Sequence, residues 1–164
     1  MLRSLFSRKK QQEITFLAPL TGTIVPLSEV PDPVFAQNVV GDGVAIQPTE
    51  GLLLSPMDAK VTHLFPTHHA IGLTSDTGLE ILMHIGIDTV KLKGQGFTPF
   101  VAVGDQVKAG DKLIQFDLAT LQEAGCPIVT PIVITNGDVV AEKNVVAKAN
   151  VQAGQEPLMT VVLK

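Results

Sequence analysis

The chain has 164 residues, 45% of them hydrophobic and 17% charged, which suits one packed domain and argues against a disordered segment. Its 12 basic and 16 acidic side chains give a net charge of −4, and four of the basic ones (Arg3, Arg8, Lys9, Lys10) crowd into the first ten positions. The rest of the chain is acidic and holds no Tyr or Trp, so a phosphate-backbone binder or a base-stacking platform is disfavoured and no nucleic-acid partner is expected.

In residues 1–12, Leu2, Leu5 and Phe6 fall at i, i+3 and i+4 among the basic side chains. This pattern predicts a flexible basic amphipathic tail, disordered in solution, that makes weak contact with an anionic membrane surface. Residues 13–164 are expected to form a single domain. No apolar run reaches the ~20 residues needed to span a bilayer. The basic start is followed by Gln11-Gln12-Glu13 instead of a signal-peptide apolar region. The lone Cys126, between Gly125 and Pro127, reads as a structural thiol. The expected compartment is the cytoplasm, with peripheral contact at the inner membrane surface.

From Ile14 onward, short Val/Ile/Leu/Thr runs alternate with Gly, Pro and Asp, the pattern of an all-β protein. Two short helical turns are predicted, at Asp32–Gln37 with Pro33 at N1, and at Asp117–Gly125 with Asp at the N-cap and Gly at C′. Val40–Val44 and Asn136–Asp138 read as tight turns needing positive φ. A weak internal duplication pairs the segment starting at Ala18 with that starting at Ser55. It also pairs the segment starting at Val107 with that starting at Val151, so the offsets are 37 and 44 residues. Together these features predict a flattened antiparallel β-barrel or sandwich with an internal pseudo-repeat.

All four histidines lie between positions 63 and 84. Leu79–Val90 alternates with period two, placing Ile81, Met83, Ile85 and Ile87 on one face and Glu80, His84, Gly86 and Asp88 on the other. His84 should therefore face away from the core, where an imidazole can attack or carry a transferable group. By the same parity His69 shares a side with Ile71 and Leu73, whereas His68 and His63 read as ordinary surface residues.

Thr67-His68-His69-Ala70 and the run from Asp76 through Leu79-Glu-Ile-Leu-Met-His-Ile-Gly-Ile-Asp-Thr-Val90 to Phe97 closely resemble the glucose-type IIA component of the bacterial phosphoenolpyruvate-dependent sugar phosphotransferase system. The resemblance extends through Ala18-Pro19-Leu20, Val30–Ala36 and Gly41–Ile46 to Asp117, nearly everything after the first dozen residues. It implies a β-barrel or sandwich that accepts a phosphoryl group from the phosphocarrier protein HPr and passes it to a cysteine of the IIB domain of a sugar permease. It further implies that His84 is the acceptor, that His69 stabilises the phosphoryl group and that Thr67 orients His69. The family has Thr-Asn-His where this chain has Thr67-His68-His69, which leaves His68 in the Asn position. Phe35, Val34, Val39, Val40, Phe65 and Val90 match a family apolar rim which, with Asp88 and Gly86, would form the partner-binding surface.

Rival readings come from other classes. A zinc hydrolase would use His69 and His84 with perhaps His63, but no His-x-His or His-Glu-x-x-His motif is present. A zinc ion held by His69 and His84 and shared with a partner carboxylate stays open, although no cofactor is required for the relay. The Gly-Asp rhythm of Val103–Leu113 resembles a biotinyl or lipoyl carrier domain, but Asp58-Ala59-Lys60 only loosely reverses the lysine setting of such domains. A purely regulatory protein, binding transporters or enzymes according to its phosphorylation state, is a further alternative.

Overall fold

A computed structural model describes residues 12–164. The tail expected at residues 1–12 lies, but for Gln12, outside the described residues. Fourteen strands follow in order: β1 (Glu13–Leu17), β2 (Gly22–Val25), β3 (Asp42–Pro48), β4 (Leu52–Leu54), β5 (Ala59–Leu64), β6 (Ala70–Thr74), β7 (Glu80–His84), β8 (Phe97–Pro99), β9 (Gln106–Val107), β10 (Lys112–Phe116), β11 (Thr130–Ile134), β12 (Val140–Val145), β13 (Asn150–Val151) and β14 (Pro157–Leu163). They form an eight-stranded sheet ordered β13-β2-β3-β11-β7-β6-β5-β9 and two three-stranded sheets, β1-β14-β12 and β4-β10-β8. Every pairing is antiparallel, and the large sheet ends in open edges at β13 and β9. The sandwich form of the expectation holds, and the sheets do not close into a barrel.

The duplication is structural. Gly22 pairs with Val151 and Ala59 with Val107, the same pairing displaced by 37 and 44 residues. Backbone bonds between the sheets repeat likewise: Leu17 donates to Pro56 and Leu54 to Pro19, while Gly110 donates to Ser55 and Gly154 to Ala18. A pseudo-twofold therefore relates the β13-β2-β3-β11 half of the large sheet to β9-β5-β6-β7.

Strand alternation sorts the core. Val44, Ile46, Ile71, Met83, Ile132 and Ile134 point into the main core between the sheets. Ala45 and Val133 face the other way and are covered by Leu27, Val30 and Phe35 from the β2–β3 connection, a second apolar cluster on the outer face. That connection contains α1 (Pro33–Ala36), whose N-cap Asp32 accepts from Val34 N at 3.0 Å. α2 (Leu118–Glu123) is capped by Asp117 accepting from Ala119 N at 3.1 Å, with Gly125 left-handed at C′. Both helical turns stand where the sequence predicts them. Among the described residues no helix is long and apolar enough to cross a membrane.

Three local expectations are corrected. Val40–Val44 is not a positive-φ turn, because β3 already begins at Asp42. Gly41 and Gly43 are glycines because a Cβ there would drive into the carbonyl oxygens of Ile134 and Ile132 on β11. Asn136–Asp138 turns through a 3-10 segment at Gly137–Val139 without a left-handed residue. Instead, Asn136 clips the β6–β7 hairpin: its side chain accepts from Glu80 N and donates to Gly78 O, both at 2.8 Å. β7 ends at His84, and the alternation of Leu79–Val90 runs on as far as Ile85, which still lies in the main core. Left-handed Gly86 and Asp88 (φ 69° and 61°) then swing Ile87 out of the main core and into the outer cluster.

Candidate functional site

His84 closes β7 opposite Ala70 on β6, on the outer face of the large sheet. His69 immediately precedes β6, so strand parity does not reach it. Its placement beside Ile71 and Leu73 is corrected: left-handed His68 (φ 59°), with its N–H bound to Phe65 O, turns the chain at this point. Ile85 N then donates to His69 O at 2.7 Å and fixes the backbone next to β7. The outcome is two imidazoles with centroids 5.0 Å apart and planes at 79°.

Each ring is anchored through Nδ1. His84 Nδ1 donates to Gly86 O at 2.7 Å, which assigns the proton to that nitrogen and leaves the lone pair of a neutral ring on Nε2. His69 Nδ1 shares a 2.5 Å hydrogen bond with Thr67 Oγ1. Phe35 packs beneath His84 at 5.2 Å between centroids, and Phe65 meets His69 edge-on at 5.4 Å. His69 is only 3% exposed. Burial first, and charge on His84 second, lower the His69 pKa from 6.5 to about 4. Burial also lowers the His84 pKa, opposed by the Gly86 carbonyl and by the carboxylates of Asp32 and Asp88. Both rings are therefore neutral at pH 7.

Val34, Val39, Phe65 and Val90 are exposed, with Val39 at 70% and Val90 at 57%, and of these Phe65 touches the His69 ring. Val40 is half-buried against the outer cluster. Two residues expected on the partner-binding surface belong inside it. Phe35 is buried because α1 lays it against Ala45 and Val133, and its contact is with the His84 ring. Gly86 is likewise buried, and it serves through its carbonyl. A Cβ on Gly86 would press on Thr89 Cγ2 at 2.7 Å and Pro127 O at 2.9 Å. Asp88 is exposed at the mouth.

Asp32 escaped the sequence reading as a site residue. It was legible as a cap, and the cap lies three residues before Phe35, close enough for its charge to act on His84. The Ile85–His69 backbone bond carries no side-chain signal at all. Among the described residues no three His, Cys, Asp or Glu side chains cluster in a metal-holding group. His63 is exposed on β5 and His68 sits in the turn, so the third protein ligand a catalytic zinc ion ordinarily takes is missing. The hydrolase alternative falls with it. Cys126 is buried, its Sγ 3.9 Å from Asp88 O, as a structural thiol should be.

A family model for the phosphoenolpyruvate-dependent sugar phosphotransferase system, EIIA 1, matches residues 14–140. A PTS system glucose-specific EIIA component of Oceanobacillus iheyensis is 48% identical over 164 residues, 99% of each chain. One of Bacillus anthracis is 47% identical over 165 residues, 100% of each. The solved structure of glucose permease IIA from Mycoplasma capricolum superposes with a TM-score of 0.80 at 37% identity, covering 91% of this chain and 96% of that one.

Proposed function

The chain belongs to the EIIA 1 family of the phosphoenolpyruvate-dependent sugar phosphotransferase system, and from that premise we propose a relay through one phosphohistidine. The protein is a phosphocarrier of the glucose class, taking a phosphoryl group from HPr and delivering it to the IIB component of a permease. His84 Nε2 attacks the phosphoryl group of phospho-HPr. The P–N bond to the donor's histidine breaks as the new bond forms, and the donor leaves with the electron pair. Delivery reverses the roles: a IIB cysteine thiolate attacks the phosphorus and His84 Nε2 departs as a neutral imidazole.

The single observation that carries this reading is the Nδ1–H bond of His84 to Gly86 O, because it presents Nε2 as a nucleophile without a proton to lose. With the Thr67 hydroxyl as donor to His69 Nδ1, the His69 proton sits on Nε2, where it can donate to a phosphoryl oxygen. Phosphoryl transfer proceeds through a loose transition state, so positioning and charge stabilisation do most of the work. The apolar rim docks either partner and keeps water from the phosphohistidine. A zinc ion would take the two ring nitrogens left free of the Nδ1 bonds and would need a partner's carboxylate to complete its shell. The relay itself needs none.

We place the relay in the cytoplasm, with residues 1–12 as a weak membrane-surface contact and residues 13–164 as the working domain. Binding of other transporters or enzymes according to phosphorylation state would use the same face. The test is intact mass after incubation with phosphoenolpyruvate, enzyme I and HPr. The native chain should gain one acid-labile phosphate and His84→Ala none. His69→Ala should accept phosphate but lose onward transfer by at least about a hundredfold, the low end for a lost charge-stabilising group. Phosphate on His84→Ala would end the assignment.

A further inference from the structure

The chain has four asparagines, and three of them (Asn38, Asn144 and Asn150) precede valine, whereas Asn136 precedes Gly137. The backbone nitrogen that follows an asparagine can attack its side-chain Cγ, and a glycine there removes the side chain that otherwise blocks the approach. Gly137 is exposed, and a Cβ built on it would meet nothing within 4 Å. Among the described residues no backbone hydrogen bond holds its N–H. The Asn136 amide thus has an unhindered nucleophile beside it.

The fold keeps the two apart. Asn136 has φ −116° and ψ 58°, which puts the Gly137 nitrogen anti to Cβ, the arrangement furthest from attack. The side chain is also engaged, since Oδ1 accepts from Glu80 N and Nδ2 donates to Gly78 O, each at 2.8 Å. Cyclisation and the clip exclude each other, and the amide reacts only when Asn136 releases the β6–β7 hairpin. The other bonds at that tip are local: Ser75 N donates to Leu79 O at 2.9 Å and Leu79 N to Ser75 Oγ at 3.0 Å. An exposed hairpin tip of this kind opens far more often than the whole sheet unfolds.

We propose that Asn136 is a site of spontaneous deamidation gated by release of the β6–β7 hairpin, and that the reaction makes the release permanent. With the clip open, the Gly137 nitrogen gives up its proton to hydroxide and bonds to Asn136 Cγ. The Cγ–Nδ2 bond breaks, and ammonia leaves with a proton taken from water, which returns the hydroxide. Water then opens the cyclic imide at either carbonyl, leaving aspartate or isoaspartate at position 136. An aspartate carboxylate still accepts from Glu80 N but has no hydrogen to give Gly78 O, and it sets a negative charge against that carbonyl. Isoaspartate also adds a methylene to the main chain between β11 and β12, so neither product re-forms the clip. The inference is independent of the relay. Converted chains carry a loosened tip on the hairpin whose other end pairs Ala70 with His84.

The experiment keeps the full chain in mildly alkaline buffer, beside Ser75→Ala and Gly137→Val. Peptide mapping reads aspartate and isoaspartate at each asparagine, and hydrogen exchange at Glu80 N reads the clip. Ser75→Ala removes the Oγ bond to Leu79 N, so exchange at Glu80 N and conversion at Asn136 should rise together, about fivefold, as for one lost hydrogen bond. Urea short of the unfolding transition loosens the native tip without a substitution, and conversion should follow Glu80 N exchange there too. Gly137→Val keeps the clip and should slow conversion by at least about tenfold, because a β-branched side chain crowds the nitrogen. Asn38, Asn144 and Asn150 should remain amides, and chains converted at 136 should exchange Glu80 N faster than unconverted ones. Conversion at Asn136 that does not follow Glu80 N exchange across the urea series overturns the proposal. So does equal exchange at Glu80 N in converted and unconverted chains.

Discussion

At the scale of single residues, the site depends on keeping two adjacent imidazoles uncharged. A buried ring loses solvation when it protonates, and a second positive ring 5.0 Å away adds repulsion. The His69 pKa in the folded chain, about 4, is below its unfolded value of 6.5, so the unfolded state binds the proton more readily. The stability linked to neutral His69 is thus fully present above pH 6.5 and is lost as pH falls toward 4. We expect the melting temperature of the native chain to drop more steeply between pH 7 and 5 than that of His69→Gln, which has no proton to take up. Parallel curves would show that His69 takes up its proton at the same pH in the folded chain as in the unfolded one. A dianion on His84 reverses the sign of the neighbouring charge, so the His69 resonances should titrate at higher pH in the phosphorylated chain than in the free one.

At the scale of elements, α1 shows one carboxylate doing two jobs. Asp32 caps the helix through Val34 N, which holds Phe35 under His84, and its charge favours protonated His84. The two are separable. Asp32→Asn keeps the side-chain oxygen and should leave stability within a few tenths of a kcal/mol, whereas Asp32→Ala should cost about 1 kcal/mol. Both should move the His84 titration, seen by NMR, to lower pH; an unmoved His84 in Asp32→Asn would remove the electrostatic role. The cap was legible in sequence because Asp-Pro before an apolar turn is a local signal. The face of His69 was not, since it depends on a left-handed residue at His68 and on a backbone bond from Ile85, and neither follows from side-chain periodicity. The Gly41-Asp42-Gly43 run misled for a related reason. Glycine marks both turns and close backbone approaches, and only the β11 partner tells them apart.

At the scale of the whole molecule, the duplication visible in the sequence at offsets of 37 and 44 residues explains the scaffold, and the longer β2–β3 connection brings Asp32 and Phe35 from one half to the histidines of the other. The two halves should also differ in tolerance to substitution. Gly43 on β3 lies against the backbone of Ile132 and Val133 on β11, near the middle of the large sheet, where strands on both sides prevent movement. Gly72 on β6 would place a Cβ 3.2 Å from His63 Cβ and 3.3 Å from its Cδ2, and His63 is exposed and free to tilt toward solvent. Gly43→Ala should therefore cost about 1–3 kcal/mol of unfolding free energy, as overpacking does. Gly72→Ala should fall within about 1 kcal/mol of native, because the lost entropy of a strand glycine offsets the crowding. Urea denaturation of the two variants measures both. Equal losses would mean that β6 beside His63 is as tightly braced as β3 against β11.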